Sequence, residues 1–197
     1  MHGSRRLLIL SGLFTALTVF GAQIKMLFPF VPFTLQTFFV LLSGLMLGPI
    51  YGAASQLAYL FLGLIGLPVF SEGGGVAYIF KPSFGYLAGF PVASFAAGLI
   101  AHRRFASPNV LPAISLARLV TANFTALLCI FIPGVFYLWL NLNFVLGQKL
   151  SPAQAISIGF LRFLFWDLIK ITGVILLYRA LQPRLTAVAK FAADVPA

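Results

Sequence analysis

Asp167 and Lys170 are the residues of this chain best equipped for chemistry. They lie in GFLRFLFWDLIKITGVILLY, Gly159 to Tyr178. This stretch is long and apolar enough to span a bilayer, which takes roughly 20 mostly apolar residues. Three residues apart on a helix, the two are rotated by about 60° and share a face. A charge near a bilayer centre costs roughly 2.5–3.5 kcal/mol on insertion scales, so mutual pairing, a polar ligand or both must offset it. The chain has three acids, Glu72, Asp167 and Asp194, and only Asp167 lies in a clearly hydrophobic segment. Its carboxylate accepts N–H donors, and the Lys170 ammonium donates to a carbonyl or carboxylate. Intramembrane ionisable residues are functional by default. The plainer reading is an ion pair that only fixes helix packing.

The remaining polar groups are sparse. Gln36 and Gln56 sit in apolar helical runs, where each either bonds a neighbouring helix or contacts a ligand. Gly73, Gly74 and Gly75 could bring backbone N–H groups to an anion, as in backbone nests, with loop flexibility as the simpler account. His2 and His102 fall at membrane edges. Cys129 is alone, which allows no intrachain disulfide and no cysteine-based metal site. No HExxH, CxxC, GxSxG or P-loop pattern occurs, so no catalytic residue, metal or cofactor is expected. Any work driven by ATP needs a partner protein.

These groups must be positioned by a membrane-embedded scaffold. Of the 197 residues, 61% are hydrophobic and 8% charged, with a mean hydropathy of +1.04. Soluble domains run nearer 45–50% apolar and about 25% charged. The formal charge of +10 does not imply nucleic acid. The cations are mostly isolated at helix ends and form no stripe with interleaved polar residues. Anionic lipid head groups and the positive-inside rule account for them.

The sequence predicts one integral membrane domain over 1–197, all-α, with six transmembrane helices near 7–24, 35–47, 51–65, 84–101, 114–140 and 153–181. Arg5 and Arg6 precede the first apolar run. No small-residue cleavage site follows it, so it reads as a membrane helix rather than a leader. Ser11, Gly12, Thr15 and Ala16 give that helix small residues at four-residue spacing, suited to close helix contact. Lys25 to Thr34 is an aromatic loop broken at Pro29 and Pro32. Gly48-Pro49 ends the second helix. Gly66 to Ser83 is a long loop. Gly85 and Gly89 have GxxxG spacing, and Pro133-Gly134 is an expected kink. Arg118 is expected to snorkel to the interface. Arg162 and Trp166, four apart, could form a cation–π contact. With the N-terminus inside, Arg5, Arg6, Arg103, Arg104, Arg179, Arg184 and Lys190 fall on the cytoplasmic side, and only Lys25, Lys81 and Lys149 outside. That bias puts both termini in the cytoplasm.

The runs PFVPFTLQTFFVLLSGLMLGP (Pro29 to Pro49), GLIGLPVF (Gly63 to Phe70), PSFGYLAGF (Pro82 to Phe90) and WDLIK (Trp166 to Lys170) resemble the BioY family. These are the biotin-binding S components of energy-coupling-factor (ECF) transporters. The likeness reaches to about Tyr178. It implies a six-helix S-component fold in a bacterial inner membrane, with biotin as ligand. It also implies as partners a transmembrane coupling subunit and two ATPase subunits. The family's functional Asp and Lys fall on Asp167 and Lys170, its glycine-tyrosine motif on Tyr86, and its loop near the site on Pro29 to Gln36. The family's first-helix docking motif falls on Gly12 and Ala16. By this analogy Asp167 accepts a ureido N–H, Tyr86 packs on the rings, and the ligand carboxylate lies near Lys81 or the Gly73–Gly75 backbone. Two stretches depart from the family pattern. Arg162, Phe165 and Trp166 stand where it commonly has proline and glycine, and Ser83-Phe84-Gly85 replaces a more glycine-rich turn.

Three rival readings are an S component for another vitamin, an intramembrane enzyme with Asp167 as base, and a structural membrane subunit with no small ligand.

Overall fold

The computed structural model describes residues 2–26, 28, 30–102 and 114–194. Pro29, Arg103 and Arg104, expected as a helix break and a cytoplasmic loop, lie outside the described residues. So do the side chains of His2, Arg184 and Lys190.

The chain begins with α1 (His2–Gln23). The aromatic segment after it contains a short antiparallel pair, β1 (Lys25–Met26) and β2 (Phe33–Thr34), with Lys25 opposite Thr34. The all-α expectation misses this pair. Phe30, in the connection, takes φ 70°, a left-handed conformation uncommon for a bulky residue.

The second element, α2 (Gln36–Leu64), is helical throughout except at Gly48, which takes φ 76° and ψ −177°. Only glycine tolerates that region. Gln36 Nε2 donates to Tyr59 OH at 2.5 Å, and Gln56 Nε2 donates to Ser43 Oγ at 3.2 Å. A Cβ on Gly52 would lie 3.0 Å from Gly44 Cα. A straight helix would hold residues 36 and 59 roughly 35 Å apart. The segment therefore doubles back at Gly48, and its two arms correspond to the helices expected over 35–47 and 51–65. Pro49 follows the bend, where a missing N–H costs nothing at a helix start.

A 3₁₀ turn (Val76–Phe80) lies in the long loop before α3 (Phe84–Ala101). Next comes α4 (Leu116–Leu140), extended by a π-helical turn at Asn141–Val145. The last helical rod begins as α5 (Pro152–Ile156), opened by a Ser151–Gln154 capping box. It passes through a π-helical turn at Ser157–Leu161 and continues as α6 (Arg162–Asp194).

Small residues set the helix approaches. A side chain at Gly44 or Gly98 would strike the neighbouring backbone, of Ser94 and of Gly48–Pro49 respectively. Gly85 and Gly89 meet α4 at Pro133, Tyr137 and Cys129, so the GxxxG spacing is the α3–α4 contact. Pro133 lies inside α4 without ending it. On α1, Ser11 Oγ donates to Tyr51 O at 3.0 Å and Thr15 Oγ1 to Ser55 O at 2.8 Å. Arg118 does not reach outward. Its guanidinium caps α3 by donating to Ile100 O at 2.8 Å.

Among the described residues four helical segments are long and apolar enough to cross a membrane: Arg5–Gln23, Gln36–Leu64, Phe84–Ala101 and Leu116–Val145.

Candidate functional site

The inward face of α6 carries Phe163, Asp167, Lys170, Ile171, Val174, Ile175 and Tyr178, all buried. Their spacing is that of one apolar stripe of a helix, interrupted only by the charged pair. Lys170 Nζ donates to Asp167 Oδ1 at 2.7 Å, so the predicted shared face is realised as an ion pair. The Lys170 ammonium also lies 3.9 Å from the Phe33 ring centroid. The Asp167 contact runs through Oδ1, which leaves Oδ2 as an acceptor for a ligand.

The pair lines a cavity of about 60 Å³. Pro32, Phe33 and Thr34 of the β1–β2 segment, Gln36 of α2, and Ser71 and Tyr78 of the long loop form one side. Tyr86 and Phe90 of α3, Phe131 of α4 and Phe163 of α6 form the other. Aromatic rings and several hydroxyl and amide side chains surround one buried ion pair.

Tyr86 is cradled by glycine. Any side chain at Gly134 would strike its ring and one at Gly159 its hydroxyl. Tyr86 OH donates to Gly159 O at 2.9 Å. Gly159 lies in the π-helical turn, where the helical bonding register shifts; such turns are frequent at functional sites.

Gln36 is on the cavity wall, but its amide is already engaged. Its Oε1 accepts from Thr34 Oγ1 at 2.8 Å and its Nε2 donates to Tyr59 OH. Gln56 is elsewhere. Fully buried, it bonds Thr18, Ser43 and Ser55, and it does not line the cavity. Of the two open readings of a glutamine in an apolar helix, Gln56 takes the helix-bonding one.

Neither Lys81 nor Gly73–Gly75 lines the cavity. Lys81 pairs with Glu72 at 3.3 Å, so its charge is already met by a carboxylate. The Gly73 and Gly75 N–H groups are donated to Phe70 O and Gly63 O, so two of the three glycine donors are already engaged. Arg162 is exposed, and Trp166 packs against Phe33 and Phe165 instead. The cation–π partner near the site is Lys170.

The sequence placed the Pro29–Gln36 loop near the site but singled out none of Phe33, Ser83 and Lys25. Ser83 Oγ is buried on the cavity wall with no partner among the described residues. Lys25 Nζ donates to Ser71 O, which ties the β1–β2 segment to the long loop over the cavity. The adjacency of Lys25 to an aromatic, proline-broken loop was the one available signal. Gly12 and Ala16 are exposed on α1, and a side chain at Gly12 would meet nothing within 4 Å. No group of three or more His, Cys, Asp or Glu that could hold a metal occurs among the described residues.

A model of the BioY family matches residues 2–187. A probable biotin transporter BioY of Lysinibacillus sphaericus is 41% identical over 160 residues, which cover 81% of this chain and 78% of that protein. The biotin transporter BioY of Thermotoga maritima is 40% identical over 167 residues, covering 84% and 89%. The crystal structure of the S-component for biotin from an ECF-type ABC transporter superposes with a TM-score of 0.72 at 24% identity, covering 91% and 92% of the two chains. The fold is therefore that of an S component, and the chain belongs to the BioY family.

Proposed function

We propose that this BioY-family chain is the biotin-binding S component of an ECF-type transporter, and that Asp167 and Lys170 hold the ligand. The observation that carries this reading is the Asp167–Lys170 pair, buried on the inward face of α6 against an aromatic cavity. Asp167 Oδ2 would accept a ureido N–H, Lys170 would donate to the ureido carbonyl, and Ser83 Oγ supplies a third polar contact. Tyr86 and Phe131 offer aromatic surface to the apolar thioether ring. A cavity of about 60 Å³ is well below the roughly 300–1,000 Å³ of ligand sites. Binding therefore requires the β1–β2 segment, with Pro32 and Phe33, to move outward.

The chain crosses the membrane six times on this reading, because α2 folds into two arms at Gly48 and α5–α6 supplies the last span. Both termini lie on the cytoplasmic side of a bacterial inner membrane. The chain does no chemistry of its own. A transmembrane coupling subunit and two ATPase subunits supply the energy, and Gly12 and Ala16 on the open face of α1 give the coupling subunit a close approach.

Labelled biotin should bind the purified protein in detergent, and Asp167→Asn should lose that binding while remaining in the membrane fraction. If the parent binds no biotin but a panel of other vitamins yields a ligand, the departures at Arg162 to Trp166 have changed the substrate. Unaltered affinity in Asp167→Asn would sink the assignment of the site.

A further inference from the structure

A second concave surface lies apart from the Asp167 and Lys170 side chains: a groove of about 520 Å³ between α4 and α5, lined by Leu128, Val135, Trp139, Ala155 and Phe160 among other apolar residues. We infer that this groove is a binding site for one acyl chain of an anionic phospholipid, whose head group lies beside Lys149.

Its dimensions and polarity favour that occupant. From Leu128 to Trp139 the wall runs eleven residues along α4, roughly 16 Å at helical rise. That is about half of a roughly 30 Å hydrocarbon core, the depth of one leaflet. The lining side chains carry a single polar atom group, the Trp139 indole N–H, and it is turned to Leu150 O at 3.0 Å. A tryptophan at that end suits the interfacial level. The residue next to Leu150 is Lys149, exposed and without an acid near it in sequence. It can meet a lipid phosphate just where the groove opens. The flanking Ile132, Phe136 and Ile156 are 67%, 61% and 46% exposed, an apolar rim that a lipid covers without any polar group to satisfy.

The groove has a second consequence. Phe131 lines both it and the Asp167 cavity. Its ring packs edge-on to Phe160 at 4.9 Å and to Tyr86 at 5.9 Å. A chain lodged in the groove therefore backs the wall that separates lipid from the buried ion pair.

The test uses the full chain with Trp166→Phe, which leaves Trp139 as its one tryptophan. It is reconstituted in phosphatidylcholine bilayers containing rising fractions of a phospholipid brominated on one acyl chain. Brominated phosphatidylglycerol should quench Trp139 at about a fivefold lower mole fraction than brominated phosphatidylcholine, the preference one interfacial lysine confers. Lys149→Gln should abolish that difference, and Val135→Phe, which fills the groove, should reduce quenching by both lipids. Thermal unfolding of each variant checks that it is folded. Equal quenching by the two lipids that follows bulk composition, unchanged by Val135→Phe, would mean ordinary annular contact and overturn the site. No quenching by either lipid would mean that protein covers the groove, and would overturn it equally.

Discussion

The Lys170 ammonium lies 3.9 Å from the centroid of the Phe33 ring. The site is therefore closed by a side chain from the segment that must move to admit a ligand. Phe33 stacks on Phe163 at 6.3 Å with the rings 7° from parallel and also touches Trp166. It is an aromatic lid seated on the charge it protects. A desolvated cation–π contact is worth about 2 kcal/mol, so breaking it slows admission by up to about 30-fold. Phe33→Leu should raise the association rate of biotin by as much as that factor in stopped-flow fluorescence. An unchanged or lower rate would show that the ring is not what blocks the site.

The ion pair itself separates fold from function. Removing one partner of a buried pair typically costs about 3–5 kcal/mol, because the other charge is left uncompensated. Asp167→Asn should therefore lower the unfolding temperature in detergent as well as lose ligand. The double variant Asp167→Asn, Lys170→Met removes both charges and should recover much of that stability while staying unable to bind. If the double variant binds biotin, the pair serves packing alone.

Lys25 ties two loops across the cavity by donating to Ser71 O, and Ser71 Oγ lies 3.2 Å from Tyr78 OH on the wall. Lys25 is exposed, so its loss should cost little stability. Lys25→Met should speed biotin release severalfold in a chase experiment, with a smaller change in affinity because opening is also faster. Identical release from parent and variant would remove Lys25 from the gate.

What the sequence disclosed followed from periodicity and cost. Asp167 and Lys170 were legible because two charges in an apolar span demand an explanation and three-residue spacing puts them on one face. The bend at Gly48 was legible because glycine followed by proline stops a helix. Phe33 was not, because nothing local distinguishes it from the other phenylalanines, 22 in all. Its position over Lys170 is a contact between residues far apart in sequence, made by a segment that a short local strand pair shapes. Gln56 failed in the opposite way. A glutamine in an apolar helix must find partners, and its sequence does not reveal that Thr18 and Ser43 from neighbouring helical arms, with the adjacent Ser55, already supply them. Lys81 looked like an anion site until folding brought Glu72 to it.

The first helix divides its small residues between two faces. Ser11 and Thr15 bond the second arm of α2, while Gly12 and Ala16 are exposed. Leucine at both Gly12 and Ala16 should leave biotin binding by the purified chain unchanged, since neither side chain would meet the cavity. The same double variant should reduce ATP-dependent biotin uptake by vesicles containing the coupling and ATPase subunits at least tenfold. Normal uptake would place the coupling surface on another helix.

His102 gives the C-terminal end of α3 a pH dependence. It is buried at the end of α3, and Nε2 lies 2.8 Å from Leu45 O of the first α2 arm. Burial lowers its pKa below the usual histidine value; the Leu45 contact opposes this, and the Arg118 charge adds to it. The unfolded chain therefore takes up a proton at higher pH than the folded one. Stability is full above about pH 6.5, the unperturbed value, and falls as the pH drops below it, because the unfolded state then binds more protons. Unfolding temperatures between pH 7.5 and 5.5 should fall for the parent. In His102→Gln, which can still bond Leu45 O, the slope should be shallower. Equal slopes would assign the pH response to groups other than His102.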